Sequence, residues 1–183
     1  SYGVNEDVAM ISVRPDELPE SSLGYDGVDA IVWMDGDAST LSAAGARRLP
    51  ALTSWIKQGG KLIVTQPADR SKVEALASLW PIESKQDDNW LIQMQNRCSL
   101  EPLRSWAGPP APSRLEDPWY YKAPPLKVAR ASQVKPGAVV AATINWNDDA
   151  NGSASTGPSD ETPYLVRWPV GLGEVTWVAQ NLG

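Results

Sequence analysis

Between Asp7 and Trp80, short apolar runs alternate with stretches whose apolar residues recur at helical spacing. The stretch DVAMISVRP, Asp7 to Pro15, is a β-type run closed by a proline, and it predicts a strand. After the loop DELPESSLGYDGV, the run DAIVWMD, Asp29 to Asp35, is almost continuously apolar, as strands covered on both faces are. Beyond GDAST, Leu41, Leu49, Leu52 and Ile56 recur at spacings compatible with one helical face. Pro50 suits a first turn and not a helix interior, because its ring removes one interior hydrogen bond, so the pattern predicts two helical segments here. Gly59–Gly60 predicts a stop, and KLIVTQP, Lys61 to Pro67, predicts the next strand. DRSKVEALASLW, Asp69 to Trp80, places Val73, Leu76, Ala77 and Trp80 on one helical face and ends at Pro81. Strands separated by helices predict parallel βαβ units in an open, mostly parallel α/β sheet flanked by helices.

The second half changes character. Residues 83–125 are rich in Pro and Trp, with one short apolar run at NWLIQM, and read as an irregular insertion or lid. LKVARASQVKPGAVVAATINW, Leu126 to Trp146, predicts two short strands around a KPGA turn. The polar stretch Asn147 to Thr162 predicts a loop, and PYLVRWPVGLGEVTWVAQNL, Pro163 to Leu182, predicts an antiparallel hairpin turning at GLGE. The expected organisation is one domain over residues 1–183, with an α/β part at 7–82, the insertion at 83–125 and a β-rich closing part at 126–183. A start at SYGVNEDVAM, without Met, reads as an excised piece of a longer protein.

Composition removes several function classes. Lys and Arg total 16 against 22 acidic residues, a net charge of −6, so the basic footprint of sequence-independent phosphate binding is missing and nucleic acid is not an expected partner. The longest apolar runs, AIVWM and AVVAATI, fall far short of the ~20 residues that cross a bilayer. With His at 0, this chain alone builds no Ser-His-Asp triad, no Cys-His pair and no His-ligated zinc site. Cys98 is the one cysteine, which excludes an internal disulfide and leaves the redox compartment open.

The strings YDGVDAIVWMDG, LSAAGARRLPALTSWIKQGGKLIVTQ and PYLVRWPVGLGEVTWVAQNL together resemble the glutamine-amidotransferase-like branch of the flavodoxin-type folds. The resemblance covers Asp7 to about Trp80 and Pro163 to Leu182 and leaves the middle unmatched. It implies a flavodoxin-like sheet, and a non-catalytic part of a larger, membrane-anchored bacterial protein or an accessory domain of a carbohydrate-processing enzyme. It also implies an extracytoplasmic, periplasmic place, to which a Trp-rich, Cys-poor composition adds support. The catalytic residues do not carry over. No nucleophile turn of the G-x-C-x-G kind is present, Cys98 sits in QNRCSL, and Thr65 and Gln66 stand where related domains keep a His.

Three features invite chemistry. Ligands of open α/β sheets bind at the carboxyl ends of the strands, where Asp35, Asp37, Thr65 and Gln66 are expected to meet. Two carboxylates and a Thr there suit a magnesium-dependent phosphoryl transfer, and Lys72 with Asp87–Asp88 can be fitted to a haloacid-dehalogenase scheme. The fit is poor, since Ser39 stands where Thr is usual. The competing reading makes Asp37 or Ser39 the cap of the helix opening at Leu41. Second, Asn147, Asp149, Asn151 and Gly152 follow the alternation of calcium loops, but Pro158 occupies the twelfth position, where a bidentate Glu is needed, and a solvated loop fits better. Third, Trp106, Trp119, Tyr120 and Tyr121 gather in a Pro-flanked segment, as a carbohydrate- or protein-binding patch would, or as rings covering a sheet edge.

The expectation is therefore a binding or scaffolding domain without catalysis and without a cofactor. Its partners are other domains of its own parent chain, a separate protein, or carbohydrate. Asp35, Asp37, Thr65, Gln66 and the four aromatic residues are its candidate binding positions.

Overall fold

The chain's most apolar strands end up side by side in one sheet. The computed structural model describes residues 9–43, 45–67, 69–83, 91–94, 126–129, 131, 133–145 and 161–180. Its strands are β1 (Ala30–Trp33), β2 (Lys61–Thr65), β3 (Ile82–Glu83), β4 (Leu91–Met94), β5 (Leu126–Ala129), β6 (Gln133–Val134), β7 (Val139–Asn145), β8 (Glu161–Val170) and β9 (Gly173–Val178). The main sheet has the order β1-β2-β9-β8-β7. β1, β2 and β9 run parallel, while β8 and β7 continue antiparallel. The fold is thus α/β with a mixed five-stranded sheet.

Registry explains the core. Leu62 lies beside Val175 and Val64 beside Trp177, and all four side chains are buried on one face of the sheet. They belong to one core with Ala51, Leu52, Trp55 and Ile56 of the single described α-helix, α1 (Arg48–Lys57). Pro50 is the third residue of α1, inside its first turn, so its missing N–H breaks nothing. Tyr25 stacks on Trp55 with ring centroids 5.5 Å apart, and Arg48 Nε donates to the Leu18 carbonyl at 3.1 Å, tying the preceding loop to α1.

The β8–β9 hairpin turns at Gly171–Leu172, with Val170 opposite Gly173. Its turn docks on the end of α1: Leu172 N–H donates to the Lys57 carbonyl at 2.9 Å and Glu174 N–H to the Gly60 carbonyl at 3.2 Å. These bonds give donors to carbonyls at and just beyond the helix end. A Cβ at Gly173 would overlap the Ile56 and Gly60 carbonyl oxygens, so the close approach requires glycine there.

Several expectations are corrected. Residues 9–14 of the predicted first strand are not in a strand, and Met10 and Ile11 are exposed; no neighbouring strand offers them a ladder among the described residues. The sheet is not mostly parallel, because two of its four pairings are antiparallel. The helices expected at Leu41 and over Asp69–Trp80 are 3-10 helices, Ala38–Ser42 and Arg70–Leu79. The two strands expected around the KPGA turn are present as β6 and β7, and each pairs elsewhere, β6 with β3 and β7 with β8. Part of the insertion expected to be irregular is regular, since β4 pairs antiparallel with β5.

Gly173→Ala is expected to destabilise the fold by about 3 kcal/mol or more, since the overlap is with backbone on two sides. Leu172→Ala, at the exposed neighbouring position, is expected to change stability by less than about 0.5 kcal/mol. Urea unfolding of the two variants beside the parent checks both values; equal losses would show that the close approach is not tight.

Candidate functional site

Because β1, β2 and β9 are parallel and in register, with Trp33 beside Val64 and Val64 beside Trp177, their carboxyl ends open on one side of the sheet. Asp35, Asp37, Thr65 and Gln66 are carried there, as the sequence pattern predicts. What they do there is largely structural.

Thr65 is fully buried, and its hydroxyl reaches the Trp33 carbonyl at 3.1 Å and the Met34 carbonyl at 3.4 Å. It fastens β2 to the end of β1. Asp37 Oδ1 accepts the Ser39 N–H at 2.9 Å and so caps the 3-10 helix Ala38–Ser42. That hydrogen bond, followed by the Ser39 side chain, holds the Asp37 carboxyl below the usual carboxylate range. Asp35 instead pairs with Lys72 Nζ at 3.1 Å in an exposed salt bridge. The two carboxylates therefore have different hydrogen-bond partners, although Lys72, which bonds Asp35, also lies close enough to Asp37 and Asp69 to lower both. Among the described residues no group of three His, Cys, Asp or Glu side chains is placed to hold a metal ion.

Asp69 repeats the Asp37 arrangement. Its Oδ1 accepts both the Ser71 hydroxyl at 2.7 Å and the Ser71 N–H at 3.0 Å, capping the 3-10 helix Arg70–Leu79. Bonding to Ser71, side chain first and backbone second, also holds this carboxyl low. The shared signal, Asp-x-Ser before a helical run, is visible in the sequence at both places. Asp69 is a residue that sequence reasoning missed.

Gln66 is almost fully buried, and its Oε1 accepts the Trp177 indole N–H at 3.1 Å. Trp177 has only a donor to offer, so the amide oxygen must face it, and this fixes the side chain's orientation. The Gln66 Nε2 is then buried with no acceptor among the described residues. Gln66 N–H donates to the Gln180 carbonyl at 3.2 Å, and the Tyr164 hydroxyl bonds Gln180 Oε1 at 2.6 Å. The polar chain Tyr164–Gln180 and Trp177–Gln66 thus ties the three strands β2, β9 and β8 at this end. Neither Trp177 nor Gln180 was among the expected site residues.

Two open hollows lie away from the carboxyl ends of the strands. One, of about 490 Å³, is at the amino ends of β1 and β2 and is lined by Tyr25, Asp26, Asp29, Trp55, Gln58 and Lys61 among others. The other, of about 480 Å³, is lined by Leu49, Pro50, Thr53, Ser54, Lys57 and Ser78. Trp106, Trp119, Tyr120 and Tyr121, Cys98, and the loop residues Asn147, Asp149 and Asn151 lie outside the described residues.

No protein-family model matches the chain, and no curated protein matches it. Solved structures share its fold. Cytoplasmic protein STM1381 of Salmonella typhimurium LT2 aligns with a TM-score of 0.57 at 18% identity, over 91% of this chain and 66% of that one. Cytoplasmic protein STM3548 of Salmonella typhimurium aligns with a TM-score of 0.57 at 13% identity, over the same shares, 91% and 66%. The chain therefore spans just under two thirds of the length of either protein. A looser likeness, TM-score 0.45 at 18% identity, links 92% of the chain to 23% of the exo-beta-1,4-mannosidase Op5Man5 from Opitutaceae bacterium strain TAV5. The expected extracytoplasmic place is corrected by the first two, since both proteins that share the fold are described as cytoplasmic. Composition offers it no independent support, because a single cysteine is compatible with either redox compartment. No helix among the described residues is long and apolar enough to cross a membrane.

The two caps give the fold a defined acid response. A carboxylate with a depressed folded-state pKa contributes stability above its unfolded value, near 4, and loses that contribution as pH falls through the lower folded value. Asp37 and Asp69 both follow this sign. An Asp37→Asn, Asp69→Asn double variant keeps the capping acceptors but not the titration. Its thermal midpoint is expected to fall less than the parent's between about pH 5 and pH 2.5. Parallel curves would show that the caps do not titrate with folding.

Proposed function

We propose that the chain is a non-catalytic binding or scaffolding domain of the glutamine-amidotransferase-like, flavodoxin-type group, with another polypeptide as its partner. The observation that carries this reading is the engagement of Asp37 and Thr65 with backbone groups at the strand ends. A reaction at that end would need a free carboxylate pair or a nucleophile with its base. Asp37 is a helix cap, Thr65 is a buried tie between strands, and the sequence holds 0 His to activate a thiol or hydroxyl. The parallel block β1-β2-β9 supports the flavodoxin-type assignment, and the closing β8–β9 hairpin agrees with the resemblance over Pro163 to Leu182.

The magnesium-dependent phosphoryl-transfer alternative required Asp35 and Asp37 to point into one pocket, with Thr65 reaching the same phosphate. Against it count the Ser39 cap on Asp37, the bonds of the buried Thr65 hydroxyl to backbone carbonyls, and Lys72, whose ammonium already bonds Asp35 and lies near Asp37. The carbohydrate-binding alternative rests on the aromatic segment Trp106–Tyr121, which lies outside the described residues.

The test is turnover of glutamine, p-nitrophenyl acetate and p-nitrophenyl phosphate by purified protein, each with EDTA or with magnesium. The expected rate equals that of buffer in all six conditions. Magnesium-dependent turnover that disappears in Asp35→Asn would overturn the reading.

A further inference from the structure

The two edges of the main sheet are not alike. At one, the β7–β8 pairing shifts register between Val140 and Ala142 and again between Ala142 and Thr143, and such irregularity blunts an edge against further pairing. At the other, β1 pairs with β2 alone among the described residues. Its sequence, AIVW, carries no Lys, no Pro and no bulge, the usual guards of an exposed edge. Half of the peptide groups of a parallel edge strand point away from its partner, so β1 turns outward N–H and C=O groups that no other described residue takes up.

The side chains match the backbone. Val28, Ala30, Val32 and Met34, spaced by two, are all exposed, with Val32 at 48% and Met34 at 43%. Ile31 and Trp33, on the other face, are covered to a greater degree, and Trp33 is buried. The uncovered row is therefore apolar where a solvated sheet face would be polar. Its two ends are acidic: Asp26 and Asp29 precede it, Asp35 and Asp37 follow it, and all four are exposed. Asp29 and Asp26 have no ion pair among the described residues; at the other end Asp35 holds Lys72, which also lies near Asp37 and Asp69, so three carboxylates face one ammonium and that end stays acidic.

This charge pattern selects the occupant. Two copies of β1 related by a two-fold axis through Val32 would set Asp29 opposite Asp35 twice, and like charges directly opposite destabilise a pair. A strand with alternating apolar residues and a basic residue at each end meets complementary charge at both. We propose that the β1 edge binds an extended segment of a separate protein, apolar at alternate positions and flanked by Lys or Arg, which adds to the sheet as a sixth strand. The proposal rests on the reading of the chain as a binding module and names the surface and the chemistry of its partner. Backbone bonds to β1 supply the attachment, burial of Val32 and Met34 supplies apolar contact, and Asp29 selects for a basic end.

The probe is a fluorescein-labelled acetyl-KVTVTVK-amide peptide, with acetyl-EVTVTVE-amide as the charge-reversed control, titrated against the full chain and read by anisotropy. The first is expected to bind, and the second to bind at least about tenfold more weakly. Val32→Lys, which places a charge in the edge strand at an exposed position, is expected to abolish binding. Asp29→Lys, outside the strand, is expected to weaken it about tenfold and serves where Val32→Lys fails to fold by circular dichroism. No anisotropy change with KVTVTVK, or unchanged binding in both variants, overturns the proposal. So does a dimer in sedimentation that Val32→Lys returns to monomer, since the edge is then taken by a second copy. Failure of peptide binding with no turnover of the three substrates removes this edge alone, whereas magnesium-dependent turnover removes the binding-module reading beneath it.

Discussion

Strand β9, near the end of the chain, lies in the middle of the sheet, parallel to β2 and antiparallel to β8, and the rest of the structure depends on that insertion. The Gln66–Trp177 bond that seals it joins residues 111 positions apart. A contact so distant in sequence carries a large loop-closure entropy, and it forms only because it buries Val175 and Trp177 beside Leu62 and Val64 in one step. The β8–β9 turn then reaches the carbonyl at the end of α1, through Leu172 and Lys57, so the seam also fixes the helix against the sheet. Without β9, β2 would lose one of its two neighbours and β8 would have only β7.

The same insertion explains why the carboxyl ends of the strands look like a site and serve as a joint. Where three parallel strands end together, their last backbone groups need partners, and side chains at those positions are the nearest source. Thr65 bonds the carbonyls of Trp33 and Met34, Gln66 accepts from Trp177, and Asp37 and Asp69 satisfy the first amides of two 3-10 helices. Each of these groups is of a type that catalysis also uses. Their hydrogen-bond partners, and not their identity or nearness, are what the proposal of a non-catalytic domain rests on.

Much of the frame was legible in the sequence. AIVW and KLIVT read as strands because their apolar density has no helical period, Gly59–Gly60 marked the end of α1, and GLGE marked the closing turn. The gathering of Asp35, Asp37, Thr65 and Gln66 at one end of the sheet followed from parallel pairing alone. The errors have a common physical source in non-local partners. Residues 9–14 have strand-like composition but no neighbour to pair with, and composition does not reveal the neighbour. β6 lies next in sequence to the turn before β7 yet pairs with β3, at the start of the insertion. The Asp35–Lys72 pair and the Trp177–Gln66 bond likewise join residues far apart in the chain, so neither partner could be chosen from local pattern.

A sheet with one sealed centre and one open edge has unequal protection along its width, and native-state amide hydrogen exchange measures that directly. In the isolated protein, the amides of Leu62, Val64, Val175 and Trp177 are expected to exchange only through global unfolding, while the outward-facing amides among Ala30–Trp33 exchange orders of magnitude faster. Equal protection of β1 and β9 would contradict the account, because it would mean that the edge is already covered. Fast exchange in β9 would contradict it as well, by showing that the strand in the middle of the sheet does not hold the two halves together.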